Sequence, residues 1–213
     1  VKGKRQLFLN NHKPLPIAIL ASGQGTNLQA IIDAIEKGTL NAQIAVVISD
    51  NPKAFALERA KKHGIPHQVF VRKNYPDQES YEADILKALQ EKKVEWIALA
   101  GYMRLLSSKF VAAYRNRILN IHPALLPSFP GLDAVSQTLQ YGAKVTGCTV
   151  HLVDEGCDTG PIVAQRVVEI GPENTVETLT EKIHHEEHRL YPEVLQWAAE
   201  GRIKIEGRKV LIK

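Results

Sequence analysis

The spacing of hydrophobic positions changes several times along the chain, and each change marks an element. Residues 16–22, PIAILAS, form a short continuous apolar run, the pattern of a strand buried on both faces. The stretch GQGTN follows. Leu28, Ile31, Ile32 and Ile35 then recur at helical spacing, and Gly38 fits the stop. Residues 44–50, IAVVISD, read as a second buried strand. Asn51-Pro52 reads as a helix start with proline in the first turn, leading to Ala54, Leu57 and Ala60 and ending at Gly64. A third strand is expected over 65–71, IPHQVFV. An amphipathic helix over 79–92 carries Tyr81, Ile85, Leu86 and Leu89. A fourth strand covers 94–101, VEWIALAG; a short helix capped by Ser107 or Ser108 runs through Tyr114; a fifth strand is RILNIH, 117–122.

This alternation with short links predicts an α/β fold with a doubly wound, mostly parallel sheet and right-handed crossovers. After Gly131 the pattern changes. A helix is expected over 134–141, then two runs with more alternation, VTGCTVHLVD and PIVAQRVVEI, joined by EGCDTG. They read as an antiparallel pair added to the sheet. A long helix starts at Thr175, and Pro192 is expected to break or kink it. RIKIEGRKVLI reads as a hairpin turning at Glu206-Gly207. No repeat, low-complexity segment or linker divides the chain. The expectation is one domain over 16–213, with 1–15 an extension or tail.

Composition narrows the class only a little. The chain has 213 residues, 44% hydrophobic and 23% charged, which supports a sizeable core in a globular protein. Net charge is +4, with basic residues spread rather than gathered in a stripe, so no nucleic-acid partner is expected. No apolar run approaches the ~18–20 residues that span a bilayer, so no membrane partner is expected either. Two cysteines, Cys148 and Cys157, make neither a disulfide framework nor a CxxC metal pattern. A reducing, cytoplasmic setting is the expectation. Monomer and homodimer stay open.

The first candidate site is SGQGTN, between the first strand and first helix. Its glycines let backbone approach a ligand, and the helix N-terminus that follows favours an anion. It is no Walker A loop, lacking Lys-Ser/Thr. Gly23-Gln24-Gly25 begins like the dinucleotide fingerprint, but Leu28 stands where the third glycine belongs. Asp50 closes the second strand, where an NAD-type site would hold a ribose. A bare tight turn is the plainer alternative; a substrate phosphate is the preferred reading, because Thr26 and Asn27 add donors that a turn does not require.

The second is NIHPALLPSFPG. Asn120 and His122 are two apart on one strand and face the same side. They lie at the carboxyl edge, where open α/β sheets bind ligands, and Pro123 forces the chain out of the sheet there. Each alone reads as a structural group. Together, an amide donor and an imidazole are what an oxyanion and a leaving nitrogen need. The loop DEGCDTGP offers Asp154, Glu155 and Asp158 as a third group, with Asp158 the most constrained. A carboxylate there would raise the histidine pKa and keep the ring protonated. His151 reads as a supporting partner, the alternative being a polar residue on an exposed face.

Other features carry less. There is no GxSxG elbow. Cys148 reads as core and Cys157 as loop. In HHEEH, His184 and His188 are at i, i+4 spacing but lack a third ligand, so no metal is expected. GYMRLL, after the fourth strand, reads equally as an apolar ligand slot or a core-entry loop.

SGQGTNLQAII, ALAGYMRLLS, LNIHPALLPSFPGL and DEGCDTGPIVAQ together resemble the phosphoribosylglycinamide formyltransferase family, the folate-dependent glycinamide ribonucleotide transformylases of purine biosynthesis. The resemblance runs from about Pro16 to about Gly201. It implies that Asn120, His122 and Asp158 are the catalytic trio. It implies that Gly25, Thr26 and Asn27 hold the ribonucleotide phosphate and that Glu187 contacts the ribonucleotide. Met103, Arg104, Leu105 and Leu106, with Asn120 and with Asp154, Glu155, Gly156, Cys157 and Asp158, match segments around the folate head. Asp133 and Val135 stand where some relatives carry histidines. Gln78 stands near where some carry an arginine for the folate tail; Lys73 is the other candidate.

The implied reaction transfers the formyl group of 10-formyltetrahydrofolate, as co-substrate and without a metal, to the amine of glycinamide ribonucleotide. A 10-formyltetrahydrofolate hydrolase is expected to carry an N-terminal regulatory domain and a tRNA formyltransferase a C-terminal RNA-binding one. Further alternatives are an NAD-binding oxidoreductase and a catalytically silent ligand binder. Leu28 argues against the former and the full Asn120-His122-Asp158 set against the latter.

Overall fold

The structure is a computed structural model that describes residues 13–213; residues 1–12 of the expected N-terminal extension lie outside the described residues. The sheet has seven strands in the order β3-β2-β1-β4-β5-β6-β7. They are β1 (Leu15–Leu20), β2 (Ala42–Ser49), β3 (His67–Val69), β4 (Trp96–Leu99), β5 (Ile118–His122), β6 (Val145–Leu152) and β7 (Ile162–Glu169). The first five are parallel; β6 runs antiparallel to β5 and β7 to β6. The expected doubly wound architecture is therefore observed, late antiparallel pair included.

Both faces of the sheet are covered. Ile17 and Ile19 of β1 pack among α1 (Thr26–Glu36), α2 (Phe55–Lys62) and α6 (Val176–Ala199). Ala18 and Leu20 point the other way, to α3 (Gln78–Glu91) and α4 (Ser108–Ala113). This is why β1 reads as an unbroken apolar run. The remaining helix, α5 (Ala134–Tyr141), has the expected bounds, and β8 (Ile203–Glu206) and β9 (Lys209–Ile212) form the expected hairpin. Side-chain caps fix three helix starts: Asp77 accepts from Ser80 N–H, Ser107 from Phe110 N–H, and Thr175 and Thr178 form a reciprocal capping box.

Three local expectations are corrected. The second helix starts at Phe55, not at Asn51-Pro52. The Asn51 side chain accepts from Lys53 N–H at 3.0 Å and its carbonyl from Ala54 N–H at 3.0 Å, so a turn takes the first residues. The third strand shortens to His67–Val69, at the sheet edge, because Pro66 has no N–H to offer the ladder. Finally, α6 runs unbroken through Pro192. Proline inside a helix costs about 3 kcal/mol, but Tyr191, Val194 and Leu195 beside it are fully buried. Each such side chain contributes about 1.5–3 kcal/mol, so packing wins. Tyr191 Oη also shares its one proton between the carbonyls of Leu99 (3.0 Å) and Leu119 (2.9 Å), anchoring α6 to β4 and β5.

Candidate active site

Strand order places the site. β1 turns outward to β2 on one side and β4 to β5 on the other, so a crevice opens at their carboxyl ends. The glycine loop leaves β1 there, residues 101–106 leave β4, and Asn120 and His122 end β5.

In the glycine loop, Gly25 has φ +69°, and a Cβ on it would lie 2.8 Å from Ala56 Cα. Only glycine fits both the left-handed backbone and the close approach of α2. Arg59 Nε donates to Gln24 O at 2.9 Å and braces the loop from behind. Gly25 caps α1 without a side-chain hydrogen bond, which leaves the first N–H groups of α1 without a cap of that kind. Thr26 opens the first turn. Asn27 differs from expectation: its amide donates to Glu187 Oε2 at 2.8 Å, so this donor is engaged within the protein. Its Oδ1 is buried without a partner. Glu187 is 3% exposed, and burial pushes its carboxyl up to about 7 despite the Asn27 hydrogen bond. Sequence distance hid this pair; no local signal joins Asn27 to Glu187.

The trio assembles around Asp158. Its Oδ2 lies 3.3 Å from His122 Nδ1 and accepts from Gly131 N–H at 2.8 Å. Its Oδ1 accepts from Asn120 Nδ2 at 3.3 Å and lies 3.4 Å from His151 Nε2. Asp158 holds a left-handed φ of 55°, which turns its carboxylate back over β5. Burial alone would raise its pKa; hydrogen bonds from His151 and Gly131 N–H and the nearby imidazoles outweigh it and hold the carboxyl at about 2.

His122 Nε2 contacts the carbonyl of Phe129 at 2.8 Å. A carbonyl only accepts, so this nitrogen carries a proton. Nδ1, facing Asp158, is then the nitrogen that titrates. The carboxylate does raise this pKa, as expected, but it does not keep the ring protonated. His122 is 4% exposed, and burial lowers its pKa more than Asp158 and the Phe129 carbonyl raise it. The free protein therefore holds a mostly neutral ring beside a carboxylate. His151, buried rather than on an exposed face, has Nδ1 2.9 Å from Leu152 O and Nε2 3.1 Å from Asn120 Nδ2. Nε2 of this ring lies between the Asn120 amide and the Asp158 carboxylate and fixes both against β6. Phe129 was invisible in the sequence because it acts through its backbone; its positive φ of 53° is the structural sign.

Around the trio, Asp154 Oδ1 accepts from Gly156 N–H (3.1 Å) and Thr159 Oγ1 (2.6 Å), a turn that shapes the loop. Glu155 is exposed and 3.8 Å from Arg115. Cys157 is exposed and Cys148 fully buried, as expected. Met103 and Leu105 are 63% and 68% exposed, so these two are not core, whereas Leu106 packs on the core. Gln78 Nε2 reaches Leu105 O at 3.3 Å, placing it beside this segment. Asp50 is not open to a ribose, because Arg104 Nε donates to its Oδ2 at 2.8 Å; Leu28 is core. His184 and His188 stack at 5.9 Å on α6. No group of three metal-ligating side chains occurs among the described residues, and no helix among them is long and apolar enough to cross a membrane.

Comparison with known proteins identifies the family. The sequence is 46% identical over 179 residues to the phosphoribosylglycinamide formyltransferase of Bacillus subtilis (strain 168), covering 84% of this chain and 92% of that one. It is 47% identical over 190 residues to the trifunctional purine biosynthetic protein adenosine-3 of Drosophila pseudoobscura pseudoobscura, covering 88% of this chain but spanning only 14% of that longer protein. The crystal structure of glycinamide ribonucleotide transformylase 1 from Symbiobacterium toebii superposes with a TM-score of 0.93 at 45% identity, over 99% of each chain. The pattern of the family described as formyl transferase matches residues 15–195, and the chain belongs to that family.

Proposed function

We propose that this chain transfers the formyl group of 10-formyltetrahydrofolate to the amine of glycinamide ribonucleotide, a step of purine biosynthesis. The observation that carries the reading is the convergence of Asn120, His122 and His151 on the Asp158 carboxylate at the carboxyl edge of β5. The ribonucleotide phosphate sits on Gly25 and Thr26 at the start of α1, with Asn27 and Glu187 beside it. The formyl folate lies against Met103, Arg104, Leu105 and Leu106 and the 154–158 loop. The formyltransferase domain begins with β1 at Leu15, one residue before the expected boundary. The setting is cytoplasmic, the protein a monomer or homodimer, and the chemistry takes no metal.

The substrate amine is the nucleophile, so no serine or cysteine is required. As it attacks the formyl carbon, negative charge collects on the formyl oxygen. The Asn120 amide donates to it. A neutral His122 accepts the amine's proton at Nδ1, becomes a cation beside the oxyanion and Asp158, and returns the proton toward the departing N10. Burial favours the neutral ring at rest; Asp158 supports the charged one in transit. Mixing the protein with 10-formyltetrahydrofolate tests the reading. Consumption should require glycinamide ribonucleotide. Equal consumption with water alone would make the chain a hydrolase, and none under either condition would sink the proposal.

A further inference from the structure

The segment leaving β4 combines two properties that rarely coexist. Met103 and Leu105 project large apolar side chains into solvent, while the backbone beneath them is tied down on both sides. Ser22 Oγ accepts from Met103 N–H at 3.0 Å, and Ser22 N–H donates to Gly101 O at 3.0 Å. Gln78 Nε2 holds Leu105 O. Between them, Arg104 Nε donates to Asp50 Oδ2 at 2.8 Å, and its guanidinium lies 5.8 Å from the centre of the Tyr81 ring. Untied, exposed apolar side chains would collapse onto neighbouring apolar surface.

The ion pair is poorly explained as a general stabiliser. Arg104 is 40% exposed, so solvent screens it and the net gain is small. The Asp50 side chain is only 11% exposed, and its Oδ1 is buried without a partner, which costs solvation. The arrangement instead fixes a position. From this we infer that Asp50 is a positioning residue for the formyl-folate slot: acting through Arg104, it sets the conformation in which residues 101–106 present Met103 and Leu105. The inference rests on the proposed folate reading of that segment.

Two variants and two readouts test it. Trypsin can cut after Arg104, so release of the segment is visible without any activity measurement. In Asp50→Ala, nicking after Arg104 should speed up severalfold, and KM for 10-formyltetrahydrofolate should rise about tenfold, the effect of losing one hydrogen bond to a charged group. kcat and the ribonucleotide KM should stay within about twofold. Asp50→Asn, which keeps an acceptor for Arg104, should fall between. Nicking and folate KM both unchanged in both variants would overturn the proposal. So would a common loss of kcat, both KM values and thermal midpoint, which marks a merely structural role. A separate arm examines the underlying reading: if saturating formyl folate does not slow nicking of the unaltered enzyme, the slot is misassigned and the inference falls with it.

Discussion

His122 Nδ1 and Asp158 Oδ2 lie 3.3 Å apart, one ending a parallel strand and the other on a left-handed residue of the loop joining two antiparallel ones. The relationship makes Asp158 the counter-charge for a ring that burial keeps neutral. Asp158→Asn keeps the shape and removes the charge. It should lower kcat by about 10²–10³, the usual loss when one electrostatic partner of a transition state is removed, while circular dichroism and KM for the ribonucleotide change little. His122→Ala should abolish transfer with the fold intact. Near-normal turnover in Asp158→Asn would remove Asp158 from the chemistry.

The same pair sets a pH dependence. With a neutral His122 as proton acceptor, kcat/KM falls as the free enzyme's ring becomes protonated. The acid limb should therefore lie below the ordinary histidine value of 6.5. Asp158 raises the His122 pKa, so Asp158→Asn removes that influence and should move the limb further toward acid. A shift to higher pH, measured on the residual activity, contradicts this electrostatic assignment.

Much of the fold was legible because its signals are local. β1 and β2 are apolar runs buried on both faces, and Ser107 and Thr175 are caps that need only their own first turn. The errors occurred where another force decides. At Asn51 a side-chain turn competes with the helix; at Pro192 burial of Tyr191 and its neighbours outweighs a broken hydrogen bond. Asn120 and His122 could be paired from strand geometry. The charge state of His122 could not, because it depends on burial and on the Phe129 carbonyl. Nor could Asn27 be joined to Glu187, since only α6 packing on α1 brings them together.

Glu187 gives a stability prediction of opposite sign to a paired surface carboxylate. Its folded pKa, about 7, is above the reference value of 4.5. The neutral form is favoured on folding, so its contribution is fully present below 4.5 and is lost as pH rises through 7. Glu187→Gln keeps an acceptor for Asn27 and cannot ionise. It should match the parent protein near pH 4.5 and exceed it above pH 7, by on the order of 3 kcal/mol at most. Urea denaturation at the two pH values measures the difference. An equal difference at both would show that Glu187 does not titrate in this window.

Gly25→Ala probes the phosphate loop through backbone alone. The position has φ +69°, and an added Cβ would meet Ala56 Cα and Cβ at 2.8 Å. Neither can move like the tip of a flexible side chain, because Ala56 lies within α2 and its N–H is held by Gly23 O at 3.1 Å. A non-glycine residue forced into left-handed backbone costs about 1–3 kcal/mol, and the clash adds to it. The cost should fall on the loop before the whole fold, since α1 and α2 are anchored by Leu28, Ile31 and Leu57 in the core. The ribonucleotide KM should therefore rise by at least about tenfold, with a smaller change in KM for formyl folate, whose proposed slot lies across the crevice. Equal changes in the two KM values would mean that the loop does not hold the phosphate by its backbone.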